Sequence, residues 1–195
     1  MKNKTRILAI ILLVFCFTAF LINSFQKEMK REKLPVLGKV LPFTLTDIDN
    51  QGFDSSKLNG KVWIASFLFT TCSDVCPVMA KNLASLNRSF ELEPGIKIVS
   101  ISVNPEFDTP QRLKEFGERY KAKTSQWYFL TGSRDKIRDV VIHSFKLGSI
   151  EEPIFHSSYF ALVDRHGYIR AYFDGTDQGE VNKLFKAAGQ LVKQR

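Results

Sequence analysis

Cysteine and histidine are scarce in this chain, with three of each among 195 residues. The only close pair of cysteines offers two thiolates, too few for the four ligands of a structural zinc site. No internal repeat and no low-complexity block interrupts the sequence, so a single folded domain plus a tail is expected from its length. Positive charge is not concentrated in the folded part. Residues 1–33 hold seven Lys/Arg against two Glu, which leaves 21 basic against 18 acidic residues in the remaining 162. A net charge of +8 so distributed implies no basic face and no nucleic-acid partner.

Charge and proline are absent altogether from Ile7 to Ile22, a run preceded by Lys2, Lys4 and Arg6. Its length falls between a signal-peptide core and a full span, and Thr5 and Asn23 to Phe25 can extend it. No small-x-small cleavage site follows. The expectation is a retained single-pass anchor with a cytoplasmic tip (residues 1–25), a charged linker (26–39) and a folded domain (40–195) on the extracytoplasmic side. Cys16 lies inside the run after Phe15, which suits an inert membrane-buried thiol better than lipid attachment. The lack of an Arg- and Ser-rich transit segment favours a bacterial inner membrane over a mitochondrial one. In that oxidising compartment, neighbouring thiols rest as a disulfide unless reduced or metallated.

What is present in the folded part alternates between two hydrophobic periods. Phe43 to Thr46 with the Asp49-Asn50-Gln51-Gly52 turn reads as an opening hairpin. Val62 to Phe69, Ile96 to Val103 and Trp127 to Leu130 read as buried strands. Between them, Met79, Leu83, Leu86 and Phe90 recur at helical steps, and Asp108-Thr109-Pro110 opens a helix carrying Leu113, Phe116 and Tyr120. Ser133 caps a helix with Ile137, Val140, Val141 and Phe145. Ser158 to Val163 and Tyr168 to Phe173 form a hairpin around Asp164 to Gly167, and Val181 to Val192 a last helix. This order is that of an α/β, thioredoxin-like fold, here with an N-terminal transmembrane helix.

The chemistry concentrates where the first buried strand ends. Cys72 and Cys76 stand four residues apart in Thr71-Cys72-Ser73-Asp74-Val75-Cys76-Pro77. If Cys76 sits in the first turn of a helix entered through Pro77, free N–H groups and the helix dipole favour its thiolate. The pair can close a disulfide or chelate one soft ion, and spacing alone leaves both open. The separation is one residue wider than Cys-x-x-Cys, which leaves more freedom to arrange sulfurs around Cu(I). His156, where a long loop with Glu151, Glu152 and Pro153 enters a strand, is the candidate third donor, against a structural role. His143 reads as structural and His166 as solvated. Asp74 and Asp108 read as helix caps and Met79 as core.

These segments resemble the Sco/SenC family, assembly factors for cytochrome c oxidase. The resemblance rests on Thr71 to Pro77, on Ile101-Ser102-Val103-Asn104-Pro105-Glu106-Phe107-Asp108-Thr109-Pro110, and on His156-Ser157-Ser158 leading into Leu162-Val163-Asp164. It implies a copper site of Cys72, Cys76 and His156. It also implies a membrane-anchored chaperone that delivers one copper ion, Cu(I) or Cu(II), to the dinuclear copper centre of an oxidase subunit. Other copper carriers or thiol reductants are implied as further partners. Asn104 and Ser73 depart from the family pattern, where Asp and Pro are common. Two other functions fit the same residues: a thiol-disulfide reductase using Cys72 and Cys76 as its redox-active pair to keep the oxidase cysteines reduced, and a redox or copper sensor. A peroxidase of the peroxiredoxin type is disfavoured, because no proline stands seven residues before either cysteine.

Overall fold

The structure is a computed structural model that describes residues 12–20, 34–147 and 158–194. Two compact units divide the chain after Leu34. In the first, residues 12–20 form a helix (α1) whose apolar side chains, among them Phe15, Phe17 and Phe20, are exposed, as is Cys16. No helix among the described residues is long and apolar enough to cross a membrane, and the rest of the run from Ile7 to Ile22 lies outside them.

The second unit, Pro35–Arg195, is built on one mixed sheet. Its strands are β1 (Gly38–Lys39), β2 (Thr44–Asp47), β3 (Gly52–Asp54), β4 (Val62–Leu68), β5 (Ile96–Ser102), β6 (Trp127–Thr131), β7 (Tyr159–Val163) and β8 (Tyr168–Asp174). They lie in the order β1-β8-β7-β4-β5-β6-β2-β3. Only β4, β5 and β6 run parallel, joined by crossover helices α2 (Val75–Ser89) and α3 (Pro110–Arg119). The helix α4 (Arg134–Asp139) runs on into a π turn at Val140–Ser144, and α5 (Gln178–Lys193) closes the fold. Strand β1 falls within the segment assigned above to the linker.

The central strand explains why this sequence makes a sheet covered on both faces. All seven residues of β4 are buried, the continuous apolar run expected of a parallel strand with helices on either side. Side chains alternate across the sheet, so Trp63, Ala65 and Phe67 face one core with Val99, Ile101, Val141 and Phe145. Phe145 meets Trp63 and Phe67 edge-on, with ring centroids 5.8 and 5.1 Å apart. The opposite face carries α5 over β4 and against α2, with α3 over β6. Two serines buried there are paired: Ser66 and Ser100 share a 2.7 Å hydrogen bond, and the Trp127 indole donates to Ser100 Oγ at 2.9 Å.

Two caps follow the sequence rules. Thr109 accepts from Arg112 N ahead of Pro110, and Ser133 accepts from Lys136 N. One glycine is required by close packing. A Cβ on Gly175 would stand 2.7 Å from the Phe160 ring, which is fully buried, and the Gly175 carbonyl accepts from Asn82 of α2 at 2.8 Å. Gly175→Ala is expected to destabilise the domain by about 1–3 kcal/mol through overpacking, measured as a lower urea midpoint at unchanged slope.

Candidate functional site

The cysteine pair stands at the carboxyl end of β4, where parallel strands leave the sheet and a crossover begins. The chain turns from Leu68 through Phe69 to Asp74, with Cys72 N donating to Phe69 O at 3.2 Å, and enters α2 at Val75. Cys72 is half-buried in the loop. Cys76, in the first turn of α2, is 2% exposed. Both are free thiols, and their side chains hydrogen-bond to one another.

The polarity of the pair is the reverse of the sequence expectation. Burial works against ionising Cys72, but the N–H groups of Cys76 and Asp74, the Cys76 thiol and the Val75 N–H outweigh it, so its pKa falls below that of an ordinary thiol. Cys72, and not Cys76, collects the free donors of the helix start. For Cys76, burial dominates. A bond from Phe69 N–H opposes it, the Cys72 thiol and the charges of Cys72 and Asp108 add to it, and the pKa is pushed up to about 12. Only the thiolate alkylates, so in the reduced, metal-free protein iodoacetamide at neutral pH is expected to label Cys72 well over tenfold faster than Cys76. Raising the pH toward 10 should accelerate Cys76 by a larger factor than Cys72, as peptide mass spectrometry would record.

Asp108 holds this loop in place, a role the sequence reading assigned to capping. The cap is its neighbour Thr109. Asp108 is 0% exposed and accepts from Thr70 N at 3.2 and 3.1 Å, from Thr70 Oγ1 at 2.5 Å and from Ser102 Oγ at 2.6 Å. Ser102 Oγ in turn accepts from Asn104 N at 3.1 Å. One buried carboxylate thereby joins the cysteine loop to the end of β5. The signal for it was the Asp-Thr-Pro triplet itself: with Thr as cap and Pro at the first helical position, Asp is left for other work. Asp74 does occupy the cap position of α2, but its side chain makes no capping bond.

The other candidates separate cleanly. Met79 is buried in the core, as expected. His143 is exposed on the π turn, 3.8 Å from Asp139, and His166 sits exposed in the β7–β8 turn. His156 lies outside the described residues, and among those residues no group of three His, Cys, Asp or Glu is placed to hold a metal ion. Strand β7 nevertheless starts at the cysteine end of the sheet. It pairs antiparallel with β4 through Ala65↔Ala161 and begins at Tyr159, three residues after His156 in sequence. Exposed Val78 and Phe107 flank the loop, with the Arg112 guanidinium 3.6 Å over the Phe107 ring.

Known proteins share this arrangement along most of the chain. The SCO1 protein homolog of Bacillus subtilis is 34% identical over 151 residues, which cover 74% of this chain and 78% of that protein. A crystal structure of a SCO1/SenC family lipoprotein from Bacillus anthracis superposes with a TM-score of 0.74 at 30% identity, over 84% of this chain and 99% of that one. BsSco, described with a disulfide switch and as a member of the Sco family of cytochrome c oxidase assembly proteins, gives 0.73 at 30% identity over 83% and 98%. Arabidopsis thaliana ScoI, solved with copper bound, gives 0.66 at 25% identity over 82% and 99%. The SCO1/SenC family profile matches residues 34–188. On sequence and fold together, the chain belongs to the SCO1/SenC family.

Proposed function

We propose that this protein is a membrane-anchored copper chaperone that binds one copper ion through Cys72, Cys76 and His156 and passes it to the dinuclear copper centre of a cytochrome c oxidase subunit. The observation that carries the reading is the pair of free sulfurs, hydrogen-bonded to each other at the end of β4, with the N–H groups of the helix start lowering the pKa of Cys72. Soft thiolates suit Cu(I), and an imidazole extends the site to Cu(II). Copper is cargo here. Cys72 is the sulfur that first meets an incoming ion, and Cys76 gives up its proton as it becomes the second ligand. Relatives solved with copper, and a family described in oxidase assembly, support the assignment. In this reading residues 1–25 anchor the chain in a bacterial inner membrane, with the domain on the extracytoplasmic face.

Titration of the reduced protein with Cu(I) should saturate near one ion per chain. His156→Ala should weaken Cu(II) binding by more than about 100-fold, beyond the loss expected for an outer-shell partner, and blunt the absorption of the Cu(II)–thiolate chromophore. Equal Cu(II) affinity in that variant would remove His156 from the site.

The unequal thiols also favour a second reading, a dithiol reductant for the partner's copper-ligand cysteines. Cys72 would attack the partner disulfide, and Cys76 would resolve the mixed disulfide. That activity needs both sulfurs and no histidine, so copper-free His156→Ala should retain it.

A further inference from the structure

The opposite end of the sheet carries a surface that copper handling does not use. Strands β4, β5 and β6 start there, β7 turns into β8, and α5 ends. Backbone bonds stitch these loops together: Val62 N to Gly95 O at 3.0 Å, Gly60 N to Arg165 O at 3.1 Å and Ile98 N to Gln126 O at 2.8 Å. The Arg165 guanidinium donates to Val192 O of α5.

Against the sequence expectation of no basic face, cations gather on it. Among the described residues, Lys61, Lys97, Arg165 and Lys193 have no carboxylate within ion-pair distance. Of the described carboxylates at this end, Glu91 pairs with Lys123, Glu93 accepts from Gly95 N, Asp164 pairs with Arg170 at 2.8 Å, and Glu118 stands in the last turn of α3. Lys97 is depressed below an ordinary lysine by burial and then by the charge of Lys61, and its ammonium donates to Ser125 O at 2.8 Å. Beside them Leu92 is 94% exposed on the α2–β5 turn. The chain enters the unit close by, at Pro35, whose carbonyl accepts from Arg170 Nε at 2.8 Å.

Isolated surface lysines are ordinary, and Lys193 also complements the carboxyl end of α5. Cations without carboxylate partners next to a bare leucine, on one stitched surface, ask for an anionic and partly apolar partner. We infer that this end rests on the headgroups of an anionic bilayer, its cations on lipid phosphates and Leu92 in the interfacial layer. With seven residues of β4 between the two ends, the cysteines then stand about 20 Å further out, facing away from the membrane. A surface potential screened within about 8 Å acts on this end and not on the cysteine end. The biological setting rests on the anchor reading of residues 1–25, but the test does not.

Residues 34–195 hold their own core and are used without the preceding segment. They are sedimented with vesicles of phosphatidylcholine alone or mixed with phosphatidylglycerol. Binding is expected only to the mixed vesicles, and to be lost in high salt. Each cation removed should weaken it about fivefold, so Lys61→Glu with Lys97→Glu should cost more than about 25-fold. Leu92→Ser should weaken it several-fold at unchanged salt dependence. Arg112→Glu, at the cysteine end, should bind like the parent. Equal binding to both vesicles, parental binding by the lysine pair at parental thermal stability, or displacement by low-millimolar inorganic phosphate would overturn the proposal. The last result would mark a site for a single anion and not a membrane surface.

Discussion

Replacing either Cys72 or Cys76 by Ala is expected to lower Cu(I) affinity by well over about 100-fold, more than removal of an outer-shell partner costs. Each variant leaves one sulfur, and neither an imidazole nor a backbone carbonyl replaces a thiolate for a soft ion. The two substitutions differ in their side effects. Cys72 is half-buried in a loop, so its loss leaves no closed cavity. Cys76 is buried in the first turn of α2, so Cys76→Ala also removes packing, and Cys76→Ser serves as the partner variant of nearly equal volume. Competition with a Cu(I) chelator reads the affinity, and thermal unfolding of the copper-free protein separates lost ligation from lost folding. Affinities within threefold of the parent in folded Cys72→Ala would end the copper reading of this pair, as would the same result in Cys76→Ser.

Much of the scaffold for this site was legible because it rests on patterns that survive in one dimension. The apolar run of β4, the helical spacing of Met79, Leu83 and Leu86, and the Thr109-Pro110 start each report a local rule that tertiary structure did not override. What escaped depends on contacts between distant segments. Strand β1 is two residues long, paired with β8 and with the Lys39 ammonium over the Tyr168 ring, and is too short for a side-chain pattern to announce it. The β2–β3 hairpin lies next to β6, at the far edge from β1, a placement fixed by packing and not by sequence order. The π turn at Val140–Ser144 lies inside an otherwise helical pattern. The two cysteines were found by spacing, but their unequal acidity was not. It depends on which sulfur the fold buries and which one the free N–H groups of α2 reach, and helix position alone pointed to the wrong one.

Asp108→Ala is expected to destabilise the domain by about 3 kcal/mol, because it strands buried hydrogen-bond donors that have no other acceptor. Thr70 N–H has no freedom to turn elsewhere, whereas the hydroxyls of Thr70 and Ser102 can rotate, so part of the loss is recovered. Asp108→Asn keeps the shape and removes the charge, and should cost about half as much, since one amide oxygen still accepts while the NH₂ group meets donors. The variants also act on the thiols in different ways. In Asp108→Ala the loop loses its tie to β5, the N–H groups around the Cys72 sulfur are no longer held in register, and alkylation of Cys72 should slow. In Asp108→Asn the loop stays tied and the negative charge that raises Cys76 is gone, so Cys76 should label faster while Cys72 changes little. A purely structural carboxylate would change stability in both variants and leave the ratio of the two labelling rates untouched in Asp108→Asn, where the loop stays tied. A shifted ratio in folded Asp108→Asn therefore identifies Asp108 as a contributor to an inequality that burial of Cys76 dominates, and an unshifted one confines it to holding the loop.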